Sequence, residues 1–272
     1  QYRPDQRIFS TSTFILKPVS GLTVKSDFSA SSRNYQYQEF SMKIPEIGKP
    51  NDQNSKTISN TMERSWLWET TATYSQAFNE KHLLSLMAGY TMGYDNYRYN
   101  TTSVYDFPYE DDWAQDFVNG TDWSKEKPSE LFTEESKVSA FGRASYSYDD
   151  RYFVDASIRT DGSSLYGSNQ RWGTFWSAGV GWNIHNEKFL KGSNLVNQLR
   201  VRMSTGFTGS QNFYPYQALM MYEYKSSLAY QEYIGAIVKA FGNSDLKWQR
   251  TQKNNIGIDF AFLNNRVSGY FN

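Results

Sequence analysis

Apolar and polar residues alternate one by one along most of this chain. From Leu84 the even positions read Leu84, Leu86, Ala88, Tyr90, Met92 and Tyr94, with Ser85, Gly89, Thr91 and Gly93 between them. Further on the even set is Trp172, Thr174, Trp176, Ala178, Val180, Trp182 and Ile184, against Gly173, Phe175, Ser177, Gly179, Gly181 and Asn183. Successive side chains of a strand project to opposite faces, so the pattern predicts strands with one greasy face and one small or polar face. The same alternation marks 22–28, 66–74, 138–148, 152–158, 199–207 and 256–262. With 8–16 and a segment from Arg266, about ten strands are expected and helical periodicity is nearly absent.

The connections separate the architectures open to such strands. Short polar turns at 18–21, 79–82, 148–151 and 263–266 alternate with long polar stretches at 41–60, 100–135 and 209–247 and a shorter one at 161–171. Residues 186–197 form a longer turn, with a helical stretch expected around 187–191. Asp161-Gly162 has the composition of a tight hairpin turn. Loop lengths sorted in this way are those of an all-β, transmembrane antiparallel β-barrel, with tight turns on one side of the membrane and long loops on the other. The rings agree. Tyr74, Phe78, Tyr146, Tyr148, Tyr152, Trp182, Phe260 and Phe262 lie near the short-turn ends, and Trp66, Trp68, Trp172 and Trp248 toward the opposite ends. Two aromatic belts are expected at two membrane–water interfaces. The competing reading packs the same rings in the core of a soluble sandwich.

Composition changes the picture in three places. Of 272 residues 39% are hydrophobic, with a mean hydropathy of −0.70, yet 18 Phe, 21 Tyr and 8 Trp argue against disorder. No apolar run approaches the length of a membrane helix, but a barrel strand needs only half its residues apolar. Lys and Arg (28) balance Asp and Glu (28), which leaves no nucleic-acid footprint. Without Cys there are no disulfides or thiolate metal sites. Lys25, Asp27, Glu69, Arg143, Asp155, Arg159, Arg200, Arg202 and Asp259 fall on the polar face. Charges that dense need water or a polar plug, hence a wide barrel of which this chain supplies part of the wall. The chain starts at Gln1 without Met or a signal-like segment and stops at Asn272 inside a strand pattern, so it reads as a piece of something longer.

Several blocks resemble the SusC/RagA family of TonB-dependent outer-membrane transporters. They are Asp150-Arg151-Tyr152 followed by 156–164, Arg171-Trp172-Gly173-Thr174-Phe175 leading into Gly179-Val180-Gly181-Trp182, and Leu199-Arg200-Val201-Arg202 with 206–211. Gly242-Asn243-Ser244-Asp245-Leu246-Lys247-Trp248 and Asn255-Ile256-Gly257-Ile258-Asp259-Phe260 continue the series, and 81–90 is a weaker match. The series runs in consistent order over about 66–272, and nothing in the chain resembles the family's plug domain or TonB-engaging segment. The resemblance implies a 22-stranded barrel in the outer membrane of a Bacteroidota-type bacterium, of which residues 1–272 are a partial barrel domain. It implies a SusD-like surface lipoprotein as lid, TonB as the source of energy and import of oligosaccharides or peptides; whether the transporter pairs as a homodimer stays open at the level of sequence.

No catalytic constellation, cofactor motif or metal site stands out. His82 and His185 lack partners at ligand spacing, and Glu110-Asp111-Asp112 lacks the regular spacing of a calcium loop. Adjacent Glu134-Glu135 would point to opposite faces, and no G-x-S-x-G elbow or phosphate loop occurs. The long loops carry the chemistry that remains. Tyr105, Tyr109, Trp113 and Trp123 stand among Asp106, Asp111, Asp116 and Asp122, and Tyr214 and Tyr222 lie in the later loop. Rings stack on the C–H faces of sugars while carboxylates take the hydroxyls, so these six are expected to contact ligand or lid, the competing reading being that they fold the loops onto themselves. Outside the resemblance, a soluble or surface-attached glycan-binding module and a passive porin stay open as readings of the same loops.

Overall fold

The computed structural model describes residues 3–43, 53–111, 115–193, 195–211, 213–231 and 233–272. Its strands are β1 (Asp5–Val19), β2 (Leu22–Ser41), β3 (Ser55–Phe78), β4 (His82–Tyr105), β5 (Ser129–Tyr148), β6 (Tyr152–Ser163), β7 (Trp172–Asn183), β8 (Val196–Ser210), β9 (Met221–Tyr230), β10 (Tyr233–Ala240), β11 (Gln249–Phe262) and β12 (Val267–Phe271). Ten of them form one sheet in the order β1-β2-β3-β4-β5-β6-β7-β8-β11-β12, each beside its neighbour in the chain apart from the excursion of β9 and β10. Among the described residues those two pair only with each other, as a hairpin inside the long connection that the sequence suggested was polar loop.

Hairpin chemistry explains the short turns. Asn79 and Glu80, and again Asp149 and Asp150, all have φ between 47° and 56°. Left-handed conformation at both central residues is what a two-residue turn between twisted strands requires, and Asn and Asp tolerate it. Lys81 N donates to Phe78 O at 3.2 Å and Arg151 N to Tyr148 O at 2.8 Å, closing both turns.

Two compact units divide the chain. The first comprises Gln1–Ser12, Ser29–Leu67 and Tyr94–Glu135. Cross-strand bonds join odd residues to odd and even to even: Ser31 to Ser65, Ser59 to Thr101 and Thr57 to Ser103 on one face, Gln36 to Asn60 and Asn60 to Asn100 on the other. The strands of this unit therefore run in one register without a face reversal. Val104 and Phe107 are buried where the loop after β4 folds back. Asn54, itself buried, clamps that loop by accepting from Phe107 N at 2.7 Å and donating to Phe107 O at 2.9 Å.

The second unit comprises Thr13–Phe28, Trp68–Gly93 and Ser136–Asn272. Its registers run from β5 to β12 with one shift, near Ala261 and Phe262. At the loop ends of β6 to β11 a small core gathers: Tyr166 is buried, stacks on Trp248 at 4.3 Å and meets Phe213 edge-on at 5.7 Å. Gly167 N donates to Leu246 O and Asn169 N to Ser244 O, so the loop after β6 is fastened to the segment before β11.

Two local expectations change. Asp161 and Gly162 lie inside β6, paired with Gly173 and Trp172, and the turn comes later. Gly162 serves packing there, because a Cβ would stand 2.8 Å from Cζ3 of the Trp172 ring that covers it. The helical stretch expected at 187–191 is a short 3-10 turn at Ile184–Asn186 followed by a single closed turn, in which Lys191 N donates to Glu187 O at 2.7 Å. Glu187 is held by its side chain, which fixes the chain into turns rather than a helix.

Candidate functional site

The sheet presents two unlike surfaces, and in the second unit their composition can be followed row by row. Val154, Val180, Met203 and Ile256 are direct cross-strand neighbours, and they are 47, 56, 54 and 64% exposed. Ile158, Trp176, Tyr152, Trp182 and Ile258 extend the same face and are also exposed. An apolar surface this continuous marks contact with lipid or a partner. It begins at the Tyr152–Trp182 row and ends at the Gly162–Trp172 row, ten residues along β7. At about 3.3 Å per residue and a tilt near 40° the band is about 25 Å tall, the height of the apolar band on a transmembrane barrel.

The opposite face is polar and concave. Arg143 Nη2 donates to Asp155 Oδ1 at 2.9 Å, Ser145 Oγ to the same oxygen at 2.5 Å, and Arg202 Nε to Asp259 Oδ2 at 3.2 Å. Arg159 bridges Asp161 at 2.5 Å and Ser139 at 2.9 Å. The Arg200 guanidinium lies 5.1 Å over the Phe153 ring, and its buried Nε has no hydrogen-bond partner among the described residues. Ser177, Gly179, Gly181, Ser204 and Gly206 floor a concavity of about 370 Å³ between these charges. Small residues keep the wall thin where space is wanted. Such a surface can line a water-filled path.

The expected belts assemble unequally. At the turn end Tyr148 stacks near Tyr152 at 6.3 Å and Tyr152 near Trp182 at 6.4 Å, while Tyr146 bonds His82 Nδ1 at 2.7 Å. Glu187, unnoticed in the sequence, ties this row together. It accepts from Tyr152 Oη at 2.6 Å, Trp182 Nε1 at 3.1 Å and Arg151 Nη1 at 3.2 Å. Those bonds, Tyr152's first, hold its carboxyl below the ordinary range, against the opposing effect of burial. At the other end Trp172 covers Gly162, and Trp68 Nε1 donates to Ser26 Oγ at 2.9 Å. Trp66 is half-buried on the same parity of β3. Trp248 is placed differently: it packs edge-on against Phe175 at 5.7 Å and bonds Arg171 O, over Gly173, on the face that carries the charges.

The expected ligand contacts fall in separate units. In the first, Tyr105 N donates to Asp122 O at 3.0 Å and the Lys125 ammonium lies 5.3 Å over the Tyr105 ring. Trp123 is half-exposed, meets Phe117 at 5.8 Å and donates to Gly120 O, and Tyr109 is exposed. The Ser124 hydroxyl and amide hold the Asp122 carboxyl below its ordinary range. Glu110 accepts from Lys43 N at 2.6 Å and Asn54 Nδ2 at 3.3 Å, which makes it a loop tie. Trp113 and Asp112 lie outside the described residues. In the second unit Tyr214 is 77% exposed and Tyr222 60%, the latter donating to Met220 Sδ at 3.0 Å.

Comparison with known proteins gives this two-faced sheet a family. The model of the TonB dependent receptor-like β-barrel matches residues 4–272. TonB-dependent receptor P39 of Formosa agariphila is 28% identical over 97% of this chain and 25% of its own length. TonB-dependent receptor SusC of Bacteroides thetaiotaomicron is 40% identical over 50% of this chain and 14% of its own. A solved structure of the RagAB peptide transporter superposes with a TM-score of 0.83 at 25% identity, over 98% of this chain and 30% of that one. The chain thus spans about a quarter or less of the length of these curated relatives. An antiparallel wall with one lipid-like and one charged face, matched from end to end, places the chain in the TonB-dependent receptor-like β-barrel family.

Proposed function

We propose that the chain is a stretch of wall in an outer-membrane transporter that imports large nutrients, oligosaccharides or peptides. TonB supplies the energy through a plug domain, a SusD-like lipoprotein closes the loop side, and two such barrels are able to pair. The observation that carries this reading is the opposition of faces: exposed Val154, Val180, Met203 and Ile256 back onto the Arg143–Asp155 and Arg202–Asp259 pairs. Residues one apart in sequence thus meet different solvents, as in a wall between lipid and a hydrated lumen. The names of relatives, SusC and the RagAB peptide transporter, support the cargo class. The protein works as a gated conduit without catalysis. Tyr105, Tyr109, Trp113, Trp123, Tyr214 and Tyr222 contact cargo or lid, and Trp66, Trp68, Tyr146, Tyr148, Tyr152, Trp172 and Trp182 mark the membrane interfaces, while Trp248 packs on the lumen side.

The test is accumulation of labelled oligosaccharides and peptides by cells that produce the full-length protein, with TonB present and deleted. Accumulation that requires TonB supports the proposal. Equal entry without TonB makes the protein a passive porin, and extraction into detergent-free buffer makes it a soluble glycan-binding module.

A further inference from the structure

The first unit carries a row of side-chain amides on the face of Trp66. Along β3 and its neighbours, even positions share the face of Trp66. On that face Gln38 Nε2 donates to Gln36 Oε1 at 3.0 Å, Gln36 Nε2 to Asn60 Oδ1 at 2.9 Å, and Asn60 Nδ2 to Asn100 Oδ1 at 3.0 Å. With Gln6, Asn34 and Arg98 these amides line a concavity of about 350 Å³. The Asn100 Nδ2 group, and the side-chain amides of Asn34 and Gln6, make no hydrogen bond among the described residues. A row of amides ending in open donors and acceptors matches hydroxyl groups, each of which both donates and accepts. Arg98 is exposed, 3.8 Å from Glu130 and 5.3 Å over the Phe132 ring.

Height above the membrane identifies the source of the sugar. Asn60 is six residues from Trp66 along β3, roughly 20 Å of strand and about 15 Å along the membrane normal at barrel tilt. The headgroup layer of a phospholipid bilayer adds only about 5–8 Å beyond each side of the hydrocarbon core. A phospholipid therefore falls short of the amides, whereas a membrane-anchored glycolipid with several sugars reaches them. Arg64 and Arg98, on the same face between Trp66 and the amides, stand where the anionic groups of such a headgroup would lie. Glu134, which accepts from Tyr94 Oη on this face, disfavours recognition by charge alone and leaves the sugar hydroxyls as the main determinant.

We propose that the Gln36–Asn60–Asn100 row binds the saccharide headgroup of an outer-leaflet glycolipid and fixes the wall's depth against it. This rests on the transporter reading, since it takes the Trp66 face as the lipid side. The experiment uses the full-length protein in phospholipid vesicles with and without lipopolysaccharide. Insertion is scored by protease protection, and bound glycolipid by native mass spectrometry after mild release. Wild type is expected to retain lipopolysaccharide, and the double variant Asn60→Ala/Asn100→Ala to retain about tenfold less while inserting normally. Should that variant misfold, Asn60→Asp, which keeps shape and removes a donor, serves the same comparison. Equal retention by an inserted variant overturns the inference and leaves the transporter reading intact. Competition by the deacylated oligosaccharide with no preference for the anchored form also overturns it. Failure of wild type to insert overturns the transporter reading itself.

Discussion

Ala178 and Ser177 are adjacent in β7 and both exposed, but they belong to opposite faces. Ala178 pairs with Ala156 and Thr205 in the apolar band, about midway between the Trp172 and Trp182 rows. Ser177 pairs with Ser157 and Gly206 on the charged face, its hydroxyl 2.7 Å from that of Ser157. Five strand residues separate Ala178's near neighbourhood from either belt to within one position, so its side chain sits about 2–3 Å from the mid-plane of a band about 25 Å tall. Arg at the mid-plane costs about 2–4 kcal/mol, which lowers the folding constant about 30- to 1000-fold. Arg at Ser177 enters a hydrated surface, where substitutions change stability by about 0.5 kcal/mol. Equilibrium urea unfolding of the full-length protein in lipid vesicles, followed by heat-modifiable gel mobility, measures both. Ala178→Arg should be strongly destabilised and Ser177→Arg nearly neutral. Equal effects at the two positions, or the reverse order, refute the assignment of faces.

Three further predictions concern the ties between elements. Glu187→Gln keeps the shape of the buried acceptor and removes its charge, so Arg151, Tyr152 and Trp182 lose a charged partner and the variant should be less stable at neutral pH. Because Glu187's carboxyl is held below its ordinary range in the folded state, its contribution is present above the unfolded-state value and fades as pH falls through the folded one; a thermal-unfolding difference undiminished well into acid contradicts this. Gly167→Ala places a Cβ 2.1 Å from Ser244 O, in backbone that cannot yield cheaply, so it should cost about 1–3 kcal/mol and open the loop after β6 to limited proteolysis. Trp248→Ala removes ring pairs with Tyr166 and Phe175, about 2 kcal/mol together, and faster amide exchange at 164–169 is the readout.

The strands were legible because burial on one face leaves a period of two in the sequence, and the turns because Asn79, Asp149 and Asp150 carry the left-handed conformations. What escaped depended on distant partners. Gly162 looks like a turn residue until Trp172 is brought over it from the next strand. Trp248 looks like a belt residue because its ring is large and near a strand end, and only Tyr166 and Phe175 show which face it takes. Glu187 has no local signal, since its partners are Arg151 in the turn before β6, Tyr152 at the start of β6 and Trp182 near the end of β7. The β9–β10 hairpin hid in a long polar stretch because it pairs only with itself and needs no alternating buried face.

The alternation along β7 also sets how this wall is able to change over time. On the proposed transporter reading, Trp176, Ala178 and Val180 answer to solubility in hydrocarbon, while Ser177, Gly179 and Gly181, alternating with them, answer to what passes the lumen. On that reading, substitutions that retune cargo can accumulate at every second residue without disturbing anchorage, and those that adapt to a different lipid can accumulate at the others. A strand of this kind carries two nearly independent traits in one stretch of a dozen residues.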